Sequence, residues 1–127
     1  PVYRGRLMGQ DIAVKRLDEM SMQGKRQTAR EVEILGTCKH KNIVPLLGVC
    51  PDPSCLVYLL MPMNSLKSHL VKESSSNLHW KIRVKIALDV SFGIEFLHSS
   101  EPGKPPIAHC DVKPENILLN DDYTACL

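Results

Sequence analysis

Two short apolar runs, Val2 to Leu7 and Ile12 to Leu17, flank Met8, Gly9, Gln10 and Asp11, which is the layout of two antiparallel strands joined by a hairpin turn. Within the second run a period of two puts Ala13 and Lys15 on one face and Ile12 and Val14 on the other. From about Gly24 to Cys38 the pattern becomes helical: Ala29, Val32 and Leu35 recur every three residues with charges between them. Strands are predicted again over Val44 to Cys50 and Cys55 to Leu60, separated by the turn-forming group Pro51, Asp52, Pro53, Ser54. Ser65 to Val71 reads as a short helix capped by Ser65, and Glu73 to Asn77, with its three serines, as a solvent loop.

The strongest helical pattern runs from Leu78 to His98. Ile82, Ile86, Val90, Ile94 and Leu97 form one apolar stripe, with Lys81, Arg83, Lys85, Asp89 and Glu95 off it. Core packing accounts for that stripe, and His98 suits the negative end of the helix dipole. Three prolines and a glycine between Glu101 and Pro106 then break the helix. A last strand pair is expected at Ile117 to Leu119 and from Tyr123 onward, around a turn at Asn120, Asp121 and Asp122.

With 43% hydrophobic and 24% charged residues in 127, the composition is that of one globular domain or part of one, and excludes a disordered chain. Sixteen Lys and Arg against fourteen Asp and Glu give a net charge of +2, scattered rather than blocked, so nucleic acid is not an expected partner. Five cysteines without a CxxC pair suggest neither a disulfide framework nor a zinc site, and reduced thiols in an intracellular, cytoplasmic setting are expected. No membrane segment or signal peptide is legible in this piece, although the parent is open to membrane attachment elsewhere. Both ends read as cut, Pro1 without a preceding Met and Leu127 within an apolar run.

Candidate chemistry concentrates in His109 to Asn116, reading HCDVKPEN. A carboxylate at Asp111 can orient an attacking hydroxyl and accept its proton. Lys113 can neutralise charge on a phosphoryl group in flight, and the Asn116 amide oxygen can hold Mg²⁺ against phosphates. Four such residues meeting by accident over the whole chain has a chance of roughly one in a thousand. Lys15, taken alone, is more simply a solvated charge at a strand end.

This loop resembles the catalytic loop of eukaryotic protein kinases: His, Arg, Asp, Leu, three variable residues, Asn. Lys two residues after the Asp is the form found in serine/threonine kinases. Cys110 stands in place of Arg, the non-RD pattern, which implies the absence of the usual switch by activation-loop phosphorylation. Small-molecule phosphotransferases of the aminoglycoside type share the His, Asp and Asn, so the flanking segments decide. IAVK at Ile12 to Lys15 resembles the kinase VAIK strand, and REVEIL followed by His40, Asn42, Ile43 and Val44 resembles the C helix and its exit. The stretch Tyr58 to Pro62 resembles the gatekeeper and hinge. The Tyr gatekeeper with Met61, Pro62, Ser65 and Leu66 after it resembles the interleukin-1-receptor-associated kinases and their Pelle relatives, and Trp80 and Arg83 resemble the long helix of Pelle-like and plant receptor-like kinases, in the tyrosine-kinase-like group.

The resemblance covers nearly the whole chain and implies an α+β, two-lobed protein-kinase-like fold, incomplete at both ends. Residues 1–60 would be the small lobe without its glycine-rich loop; residues 61–127 would be the hinge and the start of the large lobe, stopping just before the Asp-Phe-Gly motif. Implied roles are Asp111, Lys113 and Asn116 in catalysis, Asn116 also on the metal, Lys15 on the ATP phosphates and Glu31 as its ion-pair partner. Glu33 would project from another helix face. Val2, Ala13 and Leu118 would enclose adenine beside Tyr58, and Leu59 and Met61 would offer it backbone hydrogen bonds. The implied function is transfer of the γ-phosphate of MgATP to Ser or Thr of protein substrates, with signalling adaptor proteins as further partners; the rival is a pseudokinase scaffold. The 127-residue piece by itself is expected to be inactive.

Overall fold

The computed structural model describes residues 1–17, 32, 36, 38–51, 54–71, 78–100, 102 and 104–127. Most of the helix expected over 24–38, including Glu31, lies outside the described residues, as does the loop expected at 73–77; Val32 and Gly36 are helical. The chain divides into two units, Pro1–Lys39 with Pro45–Leu60, and His40–Val44 with Met61–Leu127.

The first unit is built on a four-stranded antiparallel sheet of β1 (Val2–Leu7), β2 (Gln10–Arg16), β3 (Leu46–Pro51) and β4 (Ser54–Leu59), in the order β1-β2-β4-β3. The first hairpin is tighter than the four-residue turn expected from composition, because Gln10 and Asp11 pair with Leu7 and Arg6. Only Met8 and Gly9 remain to turn the chain, both at positive φ (49° and 81°). That geometry is the two-residue turn whose twist matches the twist of the strands. Arg6 and Asp11, opposite one another, add an exposed ion pair at 3.9 Å.

Strand β3 begins at Leu46, two residues later than the apolar run predicts, because Val44 is engaged elsewhere: its N–H donates to the Leu127 carbonyl at 2.8 Å. A register irregularity between Leu46 and Gly48 leaves Leu47 exposed. Leu56 on the central strand β4 is fully buried, and Ile12 and Cys55 nearly so.

The second unit contains α1 (Leu66–Val71), α2 (Trp80–His98), β5 (Leu118–Leu119) and β6 (Ala125–Cys126). The Ser65 carbonyl, rather than the hydroxyl expected to cap α1, closes its first turn by accepting from both the Ser68 N–H and Oγ. The last carbonyls of α2 accept from Ser99 and from the Lys104 ammonium, which binds the Leu97 and Ser99 carbonyls and lies 4.9 Å from the Phe96 ring centroid. A cation at this end suits the helix dipole. Lys104 is nearly fully buried, so its charge is matched by carbonyl dipoles rather than water.

Asp89 corrects the expectation that it lies off the packed stripe. It is only 8% exposed, and its Oδ2 accepts from the Ala125 N–H and from Lys85 Nζ, both at 3.0 Å. Lys85 also donates to Thr124 Oγ1, so one acid ties α2 to the start of β6. Strand β6 begins at Ala125 rather than Tyr123, because Tyr123 is left-handed (φ 59°) in a turn closed onto the Asn120 carbonyl.

Asn42, 0% exposed, joins this strand pair to the His40–Val44 segment. Its Nδ2 donates to the Ala125 carbonyl at 2.8 Å, its own carbonyl accepts from Leu127, and its backbone N–H donates to His40 Nδ1. His40 in turn stacks on Phe96 of α2, with ring centroids 4.8 Å apart. Cys126 donates to the Lys41 carbonyl at 3.2 Å, and burial pushes its thiol up to about 11 from 9.0. A raised folded-state value means that the neutral thiol contributes stability in full below about pH 9. That contribution is lost as pH rises through 11. We expect thermal stability to fall between pH 9 and 11, and the fall to be smaller in Cys126→Ala; equal falls in the two proteins would remove Cys126 as the cause.

Candidate active site

The loop after α2 is aimed by two backbone features. The Ile107 N–H donates to the Leu97 carbonyl at 2.7 Å, returning the chain to the end of the helix. Cys110 is then left-handed (φ 62°), a conformation that costs a residue with a Cβ about 1–2 kcal/mol. The turn it makes lets His109 Nδ1 accept from the Asp111 N–H at 3.2 Å. His109 therefore orients the backbone of the candidate base, a part that the sequence reading did not give it.

Asp111, Lys113 and Asn116 come together as expected from the loop motif. Lys113 Nζ lies 2.8 Å from Asp111 Oδ1, and Asn116 Nδ2 donates to Oδ2 at 2.7 Å and to the Asp111 carbonyl at 2.9 Å. The Asn116 N–H closes a turn onto the Lys113 carbonyl. Hydrogen bonds from Lys113 and then Asn116 hold the Asp111 carboxyl below the usual carboxylate range, and the same contact raises the Lys113 ammonium. Both are charged at neutral pH. An ionised acid of lowered basicity suits a reaction that needs a hydroxyl aligned and its proton accepted late, as phosphoryl transfer does. Because both amide hydrogens of Asn116 are directed at Asp111, its Oδ1 is the atom it can turn to a cation.

Helix α1 meets this loop directly. The Leu66 N–H donates to the Ile117 carbonyl at 2.8 Å, the Lys67 N–H to the Pro114 carbonyl at 3.0 Å, and Lys67 Nζ to Glu115 Oε1 at 2.7 Å. The Lys67 contact is the chief reason that the Glu115 carboxyl lies below its ordinary range. Neither residue was singled out in the sequence, where each reads as a surface charge.

In the sheet unit, Lys15 stands opposite Val2 and Leu56, and Ala13 opposite Tyr58 and Arg4. Directly paired residues share a face, as do residues two apart, so Val2, Ala13, Lys15 and Tyr58 lie on one face of β1, β2 and β4. The Leu59 N–H donates to the Pro45 carbonyl at 3.1 Å. In the second unit Met61 is buried, and its carbonyl accepts from the Asn64 N–H. Leu118 is half-buried on β5, paired with Cys126 and bridged to Ser65. Glu31, expected to pair with Lys15, lies outside the described residues.

A family model described as protein tyrosine and serine/threonine kinase matches residues 1–127. The chain belongs to this protein kinase family. It is 43% identical over 127 residues to serine/threonine-protein kinase CDG1 of Arabidopsis thaliana, covering 96% of this chain and 29% of that protein. Over 128 residues it is 41% identical to calcium/calmodulin-regulated receptor-like kinase 1 of the same plant, covering 98% of this chain and 29% of the relative. A rice relative, G-type lectin S-receptor-like serine/threonine-protein kinase LECRK2 (Oryza sativa subsp. japonica), is 40% identical over 129 residues, with 98% and 15% covered. The chain thus spans less than a third of the length of each of these three kinases.

Among the described residues no helix is long and apolar enough to cross a membrane, and no group of three or more His, Cys, Asp or Glu could hold a metal ion. A kinase site differs from such a cluster in that phosphate oxygens complete the cation's shell.

Proposed function

We propose that the chain is part of an active serine/threonine protein kinase of intracellular setting, transferring the γ-phosphate of MgATP to Ser or Thr hydroxyls of proteins. The observation that carries this reading is the arrangement at Asp111, with one carboxylate oxygen on Lys113 and the other on Asn116. The relatives, serine/threonine-protein kinases of plants by name, support the substrate class. In this reading residues 1–60 are the small lobe and 61–127 the hinge and beginning of the large lobe, with His40–Val44 grouped with the latter unit.

Asp111 orients the acceptor hydroxyl and takes its proton, and Lys113 faces the charge on the transferred group. Asn116 Oδ1 would hold Mg²⁺, which when bound neutralises charge on the β- and γ-phosphates. In this reading Lys15 serves the phosphates, Val2, Ala13, Tyr58 and the Leu59 backbone serve adenine from the sheet unit, and Leu118 and the Met61 backbone are its candidates in the second unit. Cys110 offers no cation to an activation-loop phosphate, so activity is independent of that modification.

The test is to incubate the full-length parent with γ-labelled ATP and a generic protein substrate, before and after phosphatase treatment, and to analyse the labelled amino acids. Phosphoserine and phosphothreonine in similar amounts from both samples are expected. Label on tyrosine alone, or none, overturns the function, and transfer abolished by the phosphatase overturns the Cys110 reading.

A further inference from the structure

The loop bearing Asp111, Lys113 and Asn116 is solvent-exposed continuously from Cys110 to Glu115, so packing does not fix its shape. Hydrogen bonds from Asn116 to Asp111 close the loop on itself without attaching it to anything else. Its attachment comes from two consecutive residues of α1. The backbone N–H groups of Leu66 and Lys67 hold the carbonyls of Ile117 and Pro114, and the Lys67 side chain holds Glu115 between them. Asn116 is thereby enclosed: Pro114, Glu115 and Ile117 on either side of it are all bound to the first turn of α1.

We infer that Lys67 is a positioning residue, which by holding Glu115 sets the angle at which Asn116 presents Oδ1 and so tunes the affinity of the site for its divalent cation. This rests on the kinase reading above and extends it to a residue that touches neither nucleotide nor metal. The backbone N–H of Lys67 is already fixed on Pro114, so its side chain starts from a defined point and reaches Glu115 at 2.7 Å. The pair is half-exposed, with 54% and 41% of its side-chain surfaces accessible, and pairs of that kind contribute little to stability. Its effect should therefore appear in cation affinity rather than in melting temperature. The size expected is about three- to fivefold, the range that a surface ion pair can transmit.

The experiment uses the full-length parent with Mn²⁺ as the probe, its affinity read by electron paramagnetic resonance in the presence of ADP, alongside phosphotransfer at limiting Mg²⁺. Lys67→Met, which keeps the apolar stem, is expected to weaken Mn²⁺ binding about three- to fivefold. Turnover at limiting Mg²⁺ falls equally, KM for the protein substrate stays unchanged, and the melting temperature moves by no more than about 2 °C. Lys67→Glu is expected to be worse, and the exchanged pair Lys67→Glu with Glu115→Lys to return Mn²⁺ affinity to within about twofold of the parent. Parental Mn²⁺ affinity in Lys67→Met, or an exchanged pair as defective as Lys67→Glu alone, overturns the inference while leaving an active parent a kinase. A parent as inactive as its Asp111→Asn variant overturns the kinase reading itself, and this inference with it.

Discussion

Asp111→Asn in the full-length parent is expected to lower kcat about 10²–10⁴-fold, the contribution of a positioned proton acceptor, while nucleotide affinity stays within about twofold. The asparagine keeps the size of the side chain and an oxygen for Lys113 or Asn116, so the shape of the loop survives the change. What it loses is the charge. Asp111 is held in its ionised form by the Lys113 hydrogen bond first and the Asn116 hydrogen bond second, and an amide can neither accept the hydroxyl proton nor balance the ammonium 2.8 Å away. Nucleotide binding in this reading depends on groups of the sheet and hinge, not on this carboxylate. Steady-state kinetics with calorimetric titration of nucleotide separate the two effects. A kcat within tenfold of the parent's would remove Asp111 from the chemistry.

Gly93→Val is expected to destabilise the second unit by on the order of 3 kcal/mol, at the upper end for overpacking. A Cβ at Gly93 would lie 2.9 Å from the Asn42 backbone oxygen and 3.3 Å from Leu127 Cδ1. That oxygen cannot retreat cheaply, because it accepts the Leu127 N–H at 2.9 Å, and the same asparagine holds Ala125 through its side chain. A branched side chain therefore pushes two segments, that of Asn42 and that of Ala125 to Leu127, away from α2. Gly93→Ala should cost less, since alanine recovers up to about 1 kcal/mol of helix propensity against the same contact. Thermal denaturation of the parent and both variants gives the order; an unchanged midpoint in Gly93→Val would contradict the close approach.

Much of the site was legible because its residues are close together in the chain. Asp111, Lys113 and Asn116 lie within one loop, and their spacing alone lets them meet once Cys110 turns left-handed. The contribution of His109 was foreshadowed by the motif but not assigned, since a ring nitrogen accepting from the second N–H along depends on that one positive φ. Lys67 and Glu115 were not legible as a pair. They are separated by 48 positions, and nothing in either local pattern distinguishes them from solvated charges.

The sequence by itself determined the hairpins, the long helix and the composition of the loop of Asp111, because alternation of side chains, helical periodicity and turn residues act over a few positions. Tertiary structure decided what those patterns leave open. The first hairpin turned at Met8 and Gly9 because ladder pairing of Gln10 and Asp11 outweighed their turn propensity. Val44 left its apolar run to bond Leu127, and Asp89 became a buried acceptor because the Ala125 N–H and the Lys85 ammonium meet it there. The Val44 and Asp89 outcomes are set by satisfying a polar group against a partner distant in the chain, and a buried donor or acceptor left unpaired costs more than local propensity can return. Local preference thus fixed which elements form, and pairing with partners distant in the chain fixed where β3 begins, what Asp89 binds and what holds the loop of Asp111.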